Sequence, residues 1–262
     1  MNMTSTNLPG SISGVVPGLS LSAELGPPRS ECGVGALMPW AGHLWAISYV
    51  SSLRNSGVGT GLYEIDENLR IAKRPESRTG VYANRFVHYP SNQMIIGPHV
   101  IDAQRKVRTV EGLDLRIAAT MEHLADPENM VYMLGMEGEF YEMNVYSLAC
   151  RKLFDLVKEL TLPYVHFKAG YTGFGRVVVA DNSYDDREFR DSRQAGVLAE
   201  WDGDEWRILR RAPFVEVTGR GRLTPIFATG WDRASALLQV YTDDNKQWTT
   251  YRLPKASHTF DH

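Results

Sequence analysis

The stretch that decides the fold is GLYEID at residues 61–66, followed by RIAK at residues 70–73. An alternating apolar run enters a turn rich in Asp, Glu and Asn, and a second short run leaves it, which is the pattern of a β-hairpin. The same arrangement returns four more times, at residues 99–110, 139–154, 196–209 and, in a looser form, 237–251. The same hairpin pattern therefore occurs five times in the chain.

The spacing of these hairpins is nearly regular. Five marker residues are separated by steps of 38, 40, 58 and 41 residues; the markers are Tyr63, Ile101, Tyr141, Ala199 and Val240. Three near-equal steps and one long step indicate a repeat with one insertion. A period near forty residues with four strands in each unit is typical of a β-propeller. We predict an all-β fold, a β-propeller of four-stranded blades with five units visible.

Each unit begins with two predicted strands ahead of its hairpin. The first strands are predicted at residues 33–38, 82–88, 118–123, 164–168 and 214–218. The second strands are predicted at residues 43–49, 93–97, 130–134, 176–180 and 225–229. The second strands are rich in Val, Ile and Met with little alternation, which predicts burial on both faces between neighbouring sheets.

Two regions are expected along the chain: an extended N-terminal arm at residues 1–30 and a propeller domain at residues 31–262. The arm is rich in Ser, Gly and Pro, and residues 11–16 are either one strand that closes the ring or part of a free arm. Residues 257–262 resemble the first strand of a further unit. Either five blades close the ring, or the chain is part of a six- or seven-bladed ring.

Three segments need separate interpretation. Residues 147–160 contain good helix formers, but the repeat predicts a strand followed by a loop there, with a short surface helix as the alternative. The sequence GYTGFG at residues 170–175 lacks the strand and helix that flank a dinucleotide-binding loop, so we predict a hairpin. The charged insertion at residues 181–193 is expected either to cover a ligand or to be a solvated loop.

Composition excludes some classes of function. The net charge of −3 gives no overall attraction for nucleic acid or for an anionic membrane. No apolar run approaches the roughly 18 residues that span a bilayer, and no secretion signal is visible at the start, so we expect a cytoplasmic protein without a membrane partner. Cys32 and Cys150 are the only cysteines, and we expect both to be reduced.

The first strands of a propeller's blades converge on its axis, so polar residues on them are the candidates for a site. These are Asn84, Arg85, His88, Glu122, His123, His166, Lys168, Glu216, Arg220, Arg222, His258, Asp261 and His262. Each has a structural alternative: a histidine bonded to water or a carbonyl, a cation lying along a packed strand, or a carboxylate paired with a cation. No phosphate loop, nucleophile elbow or CxxC pair is present, and the cofactor stays unknown, although imidazoles in a channel would suit a divalent metal.

The repeat, the inner-strand histidines with Arg85, and the turn Trp201-Asp202-Gly203 resemble bacterial β-propeller proteins of glycan utilisation. That group includes propeller polysaccharide lyases and propeller glycosidases. The resemblance implies a saccharide ligand and a site at the central channel. The five-bladed glycosidases use three inner-strand carboxylates, and only Glu122 and Glu216 correspond loosely.

These observations predict a carbohydrate-active enzyme that acts on acidic or decorated saccharides, as a lyase or as a glycoside hydrolase. In the lyase version, Arg85 and Lys168 neutralise a uronate carboxylate, His88 or His166 is the base, and Tyr171 is the acid. The substrate-binding residues would be Asn84, Arg85, Glu122, His123, Lys168, Glu216, Arg220 and His258. The alternatives are a non-catalytic propeller that binds a glycan or a protein through one face, and a structural fragment without a complete site.

Overall fold

A computed structural model describes residues 31–51, 61–78, 80–113, 115–163, 165–182, 196–244 and 246–255. Within these residues the chain forms twenty strands and one short helix, so the all-β prediction is confirmed. The suggested strand at residues 11–16, most of the insertion at residues 181–193, and residues 257–262 with His258 lie outside the described residues. None of the described helices is long and apolar enough to cross a bilayer.

The strands fall into five sheets of four. The first two sheets are β1 (Glu31–Trp40), β2 (His43–Ser51), β3 (Gly61–Ile65) and β4 (Ile71–Lys73), then β5 (Arg85–His88), β6 (Gln93–Ile96), β7 (His99–Asp102) and β8 (Val107–Thr109). The third is β9 (Ile117–Glu122), β10 (Met130–Gly135), β11 (Glu139–Asn144) and β12 (Cys150–Asp155), followed by helix α1 (Leu156–Glu159). The last two are β13 (Phe167–Gly173), β14 (Arg176–Asp181), β15 (Val197–Trp201) and β16 (Trp206–Arg211), then β17 (Phe214–Thr218), β18 (Ile226–Trp231), β19 (Ser235–Tyr241) and β20 (Trp248–Pro254).

The topology is that of a propeller. Every sheet is an antiparallel meander whose strands are paired in chain order. The first strands of successive sheets contact one another, from β1 to β5, β9, β13 and β17 in turn. The sheets are therefore arranged radially with their first strands at the hub, which confirms the predicted four-stranded blades.

The five sheets do not close into a ring in the described part of the chain. The register of the fifth sheet places Thr229, Leu238 and Tyr251 on one face, together with Trp231 and Leu253. Tyr251 is 54% exposed and Leu253 is 65% exposed, so no sheet of the described residues covers this apolar face. The sheets thus form an open arc around the hub.

The apolar core lies between neighbouring sheets. The second strands β6, β10 and β14 are buried along almost their whole length, as their mostly apolar sequences with little alternation predict. Five aromatic side chains, which we call the aromatic cluster, join the third and fourth sheets; they are Tyr132, Phe140, Phe154, Trp201 and Trp206. These layers hold the first strands at fixed positions around the hub.

Three local predictions are settled by the strand bounds. The strand predicted within residues 147–160 is β12, but helix α1 follows it where a loop was predicted, because Leu156 is buried and Lys158 pairs with Asp155 at 3.1 Å. The GYTGFG sequence is the hairpin between β13 and β14, as predicted, with its turn at Phe174 and Gly175, whose φ angles are +48° and +70°. The fourth inner strand begins at Phe167, three residues later than predicted.

Cys150 is a free thiol, and burial raises its pKa to about 11. Such a thiol is protonated at neutral pH and is a weak nucleophile. This agrees with the expectation of a reduced, structural cysteine for this residue. The side chain of Cys32 lies outside the described part of the structure.

Burial of His99 predicts a stability that depends on pH. Its side chain is fully buried and its Nδ1 contacts Thr109 Oγ1 at 2.9 Å, while burial lowers its pKa from 6.5 to about 4. Between pH 6.5 and pH 4, His99 binds a proton in the unfolded chain but not in the folded chain. The free energy of unfolding therefore falls as the pH falls through this window. The full effect is roughly 3 kcal/mol, and no further loss from this residue follows below about pH 4. Urea titrations at pH 7, 5.5 and 4.5 should show a shallower pH dependence in His99→Gln than in the wild type; equal slopes would contradict the assignment.

Candidate functional site

The first strands of all five sheets surround a cavity of about 740 Å³ at the hub. Its walls come from Gly35 in the first sheet and from residues 83–90, 118–122, 168–172, 216–217 and 220–222 of the other four. Residues 219–225, which we call the hub loop, join β17 to β18 and form part of the wall. The convergence of first strands thus creates a pocket of the size that holds a small ligand.

The charged side chains at this cavity are mostly cationic. Four cations, Arg85, Lys168, Arg220 and Arg222, line the walls with two carboxylates, Glu122 and Glu216. Arg222 Nε lies 2.8 Å from Glu122 Oε1, so those two charges offset each other. Among the described residues, neither Arg85 nor Arg220 forms an ion pair. The cavity therefore carries a local positive charge although the whole chain is slightly acidic.

Asn84 supplies a buried hydrogen-bond acceptor to the wall. The side chain is 1% exposed, and its Nδ2 donates to the Gly97 carbonyl and to Thr120 Oγ1, both at 2.9 Å. These two bonds fix the orientation of the amide. Its Oδ1 has no hydrogen-bond partner among the described residues. A buried polar atom of this kind calls for a donor, such as a water molecule or a ligand hydroxyl.

Tyr171 joins the fourth sheet to the hub loop. Its hydroxyl donates to the Gly221 carbonyl at 3.1 Å and accepts the Gly221 N–H at 2.8 Å. Burial raises the pKa of Tyr171, so the phenol keeps its proton at neutral pH. A Cβ on Gly219 would lie 2.5 Å from the Tyr171 ring, and only glycine therefore allows this close approach.

His88 lines the cavity, but both of its ring nitrogens have partners. Nε2 lies 2.8 Å from the Pro127 carbonyl, to which it donates, and Nδ1 accepts from the Ser91 hydroxyl at 2.7 Å. The ring therefore connects the turn after β5 to the turn after β9. This is the structural alternative considered for the inner-strand histidines.

Two further candidate histidines lie outside the cavity lining. His123 is buried against Tyr132, with ring centroids 4.3 Å apart, and accepts the Asp126 N–H at 2.9 Å. His166 precedes β13, and its backbone N–H donates to Asp181 Oδ1 at 2.6 Å. Burial, with help from the charges of Lys168 and Arg116, lowers the pKa of His166 to about 4. The structure therefore brings together nine of the predicted site residues and separates these two from them.

Sequence reasoning missed Tyr89, and it named Arg222 as a candidate without its ion pair to Glu122. Tyr89 follows β5 directly, lines the cavity and is 82% exposed. Its position after a first strand and before Pro90 was the available signal, because such a turn lies at the rim of the hub. No group of three His, Cys, Asp or Glu side chains in the described residues is arranged to hold a metal ion.

Comparison with known proteins identifies the fold of this chain and no closer relationship. No family model matches this sequence, and no curated protein sequence matches it either. Two similar solved structures are the Dos1 propeller, with a TM-score of 0.54 at 10% identity, and the extracellular domain of a hybrid two-component system from B. thetaiotaomicron, with a TM-score of 0.52 at 8% identity. The chain is a β-propeller. The matches cover 80% and 82% of this propeller but only 58% and 29% of those two chains, and at such identities they show the fold alone.

Proposed function

We propose that this propeller binds an acidic saccharide in the cavity at its hub. The observation that carries the proposal is the pair of cavity cations, Arg85 and Arg220, that form no ion pair within the described residues. A guanidinium group binds a carboxylate through charge-assisted hydrogen bonds, which are stronger than neutral ones. A ligand that carries a carboxylate would therefore neutralise positive charge that no protein carboxylate neutralises within the described residues.

Two other wall residues support a hydroxylated ring as the rest of the ligand. Asn84 lines the cavity and its Oδ1 has no hydrogen-bond partner among the described residues; the atom is closed to solvent, so a sugar hydroxyl donates to it only after a small shift of the wall. The exposed ring of Tyr89 at the cavity wall offers an apolar surface with a polar end. A uronate sugar combines the three features of carboxylate, hydroxyl donors and an apolar ring face.

The geometry favours binding over catalysis as the first function to test. A general base needs a ring nitrogen that can reach a substrate proton, and both nitrogens of His88 have partners while His166 is not part of the lining. A lyase is the second candidate because Tyr171 borders the cavity with its proton retained; to act as the acid, its hydroxyl would exchange the Gly221 carbonyl for the leaving oxygen. In that reaction a base removes the proton beside the carboxylate, the bond to the leaving oxygen breaks, and Tyr171 protonates that oxygen.

Calorimetric titration with two matched ligands tests the binding proposal. Oligogalacturonate carries carboxylates, and its carboxyl-reduced counterpart has the same ring hydroxyls without the charge. We expect the reduced oligomer to bind at least about tenfold more weakly, because one charge-assisted hydrogen bond contributes about 1.5–3 kcal/mol. The oligogalacturonate affinity should also fall with added salt. Equal affinities for the two oligomers, or no binding of either, would contradict the proposal.

The lyase candidate has a separate test. Elimination leaves a double bond beside the carboxylate, so ultraviolet absorbance of the product reports turnover on a panel of uronate polysaccharides. If turnover is seen, Tyr171→Phe should lower kcat much more than the affinity, because it removes the acid, while the affinity falls only through the loss of the two bonds to Gly221 in the hub loop. Turnover that is unchanged in both His88→Ala and His166→Ala would remove the histidine base from the mechanism.

A further inference from the structure

We infer that Glu122 is an internal competitor of the ligand: its carboxylate occupies Arg222 in the empty site, and a ligand carboxylate replaces it there. The inference rests on the proposed function and identifies a third cationic contact for the ligand. It also assigns Glu122 a role opposite in sign to the substrate-binding role expected from the sequence.

The pair lies on the cavity wall and joins two sheets that are not neighbours. Glu122 ends β9 of the third sheet, while Arg222 belongs to the hub loop of the fifth. Arg222 Nε lies 2.8 Å from Glu122 Oε1, and its Nη2 donates to the His123 carbonyl at 3.4 Å. Both residues line the cavity, so a ligand carboxylate that enters it meets the guanidinium and the Glu122 carboxylate together.

The backbone around the pair is held by other bonds. The Phe174 N–H donates to the Arg222 carbonyl at 2.7 Å, and Tyr171 holds both backbone groups of Gly221. On the other side, Thr172 Oγ1 donates to the Glu122 carbonyl at 2.6 Å. The Arg222 side chain can therefore change its anionic partner without movement of the hub loop or of β9.

Replacement of Glu122 by a ligand carboxylate at Arg222 is also electrostatically favourable. The side chains of Arg222 and Glu122 are 47% and 28% exposed, and ion pairs that solvent reaches in this way are weak. A ligand with several carboxylates can contact Arg85 and Arg220 as well as Arg222, whereas Glu122 forms an ion pair with Arg222 alone among the described residues. While Glu122 is charged, it both occupies Arg222 and repels the incoming anion.

The competing interpretation is that Glu122 positions Arg222 for the ligand. The two interpretations predict opposite signs for Glu122→Gln, which keeps the shape of the side chain and removes its charge. Competition predicts tighter binding of an anion, because Arg222 is released and a like charge is removed. Positioning predicts weaker binding, because Arg222 loses its fixed orientation.

The test is calorimetric titration of oligogalacturonate into the wild type, Glu122→Gln, Arg222→Gln and Glu216→Gln. We expect Glu122→Gln to tighten binding about fivefold and Arg222→Gln to weaken it by a similar factor. Glu216→Gln is the comparison variant: Glu216 lines the same cavity and, among the described residues, accepts only the Val217 N–H, at 3.2 Å, so its loss removes a like charge without releasing an arginine and measures the repulsion alone. The gain in Glu216→Gln should be smaller than that in Glu122→Gln, about twofold, because only repulsion is relieved. Thermal unfolding of each variant confirms that it folds.

The possible outcomes separate failure of the competition from failure of the proposed function. Weaker binding by Glu122→Gln, or equal gains in Glu122→Gln and Glu216→Gln, would overturn the competition. If the wild type binds through Arg85 and Arg220 and Glu122→Gln has the same affinity, this inference alone is overturned. Absence of binding in the wild type would overturn the proposed function and this inference with it, whatever Glu122→Gln binds.

Discussion

Phe140→Ala is expected to lower the free energy of unfolding by about 3–5 kcal/mol. Phe140 is fully buried in the aromatic cluster, with ring centroids 5.1 Å from Tyr132 and 5.5 Å from Trp206. Tyr132 belongs to the third sheet and Trp206 to the fourth, so the loss removes contacts on both sides of one interface between blades. The alanine leaves a cavity that rigid β-sheets on both sides are unable to fill. Urea unfolding followed by tryptophan fluorescence and by circular dichroism measures the change.

Phe227→Ala is the matched control for this prediction. Phe227 is 39% exposed on the open side of the fifth sheet, so its removal should lower the free energy of unfolding by about 1 kcal/mol or less. A loss in Phe227→Ala as large as that in Phe140→Ala would show that the open face is covered in solution. A small loss in Phe140→Ala would mean that the third and fourth sheets do not depend on the aromatic cluster.

The double variant Arg85→Ala and Arg220→Ala is expected to weaken oligogalacturonate binding by about 30-fold or more. The estimate takes about 1 kcal/mol for each charge-assisted contact that remains open to solvent. The two arginines come from the second and fifth sheets, so a ligand that contacts both must lie in the hub cavity. The variant should also show a weaker dependence of affinity on salt, because fewer charges meet the ligand. Calorimetric titration at two salt concentrations measures both effects.

A charge-matched control separates the site from the overall charge of the protein. Arg70 and Arg233 are exposed and are not part of the cavity lining, and their removal changes the net charge by the same amount. The variant Arg70→Ala and Arg233→Ala should bind oligogalacturonate within about twofold of the wild type. If both double variants lose affinity equally, the ligand responds to the general field of the protein, and the proposed site is wrong.

The blade architecture was predictable because its signals are local. Alternation of apolar and polar residues has a period of two along a strand, and hairpin turns lie within a few residues of the strands that they join. The period of the hairpins then predicted four-stranded blades, and all five sheets have the expected four strands in chain order. Radial geometry places first strands at a hub, and this was enough to place Asn84, Arg85 and Lys168 around one cavity. Their functional roles stay predictions.

The sequence by itself thus determined which strands form each blade and which of them meet at the hub, because strand period and turn chemistry act over a few residues. Only the tertiary structure decided the partners of the side chains there. Tyr171 meets Gly221 across fifty residues of sequence, and Arg222 meets His123 across 99. In the described residues, Arg85 forms no ion pair, and both ring nitrogens of His88 have hydrogen-bond partners. The physical reason is that hydrogen bonds and ion pairs form between side chains that packing brings within about 3 Å, and no local pattern records that distance.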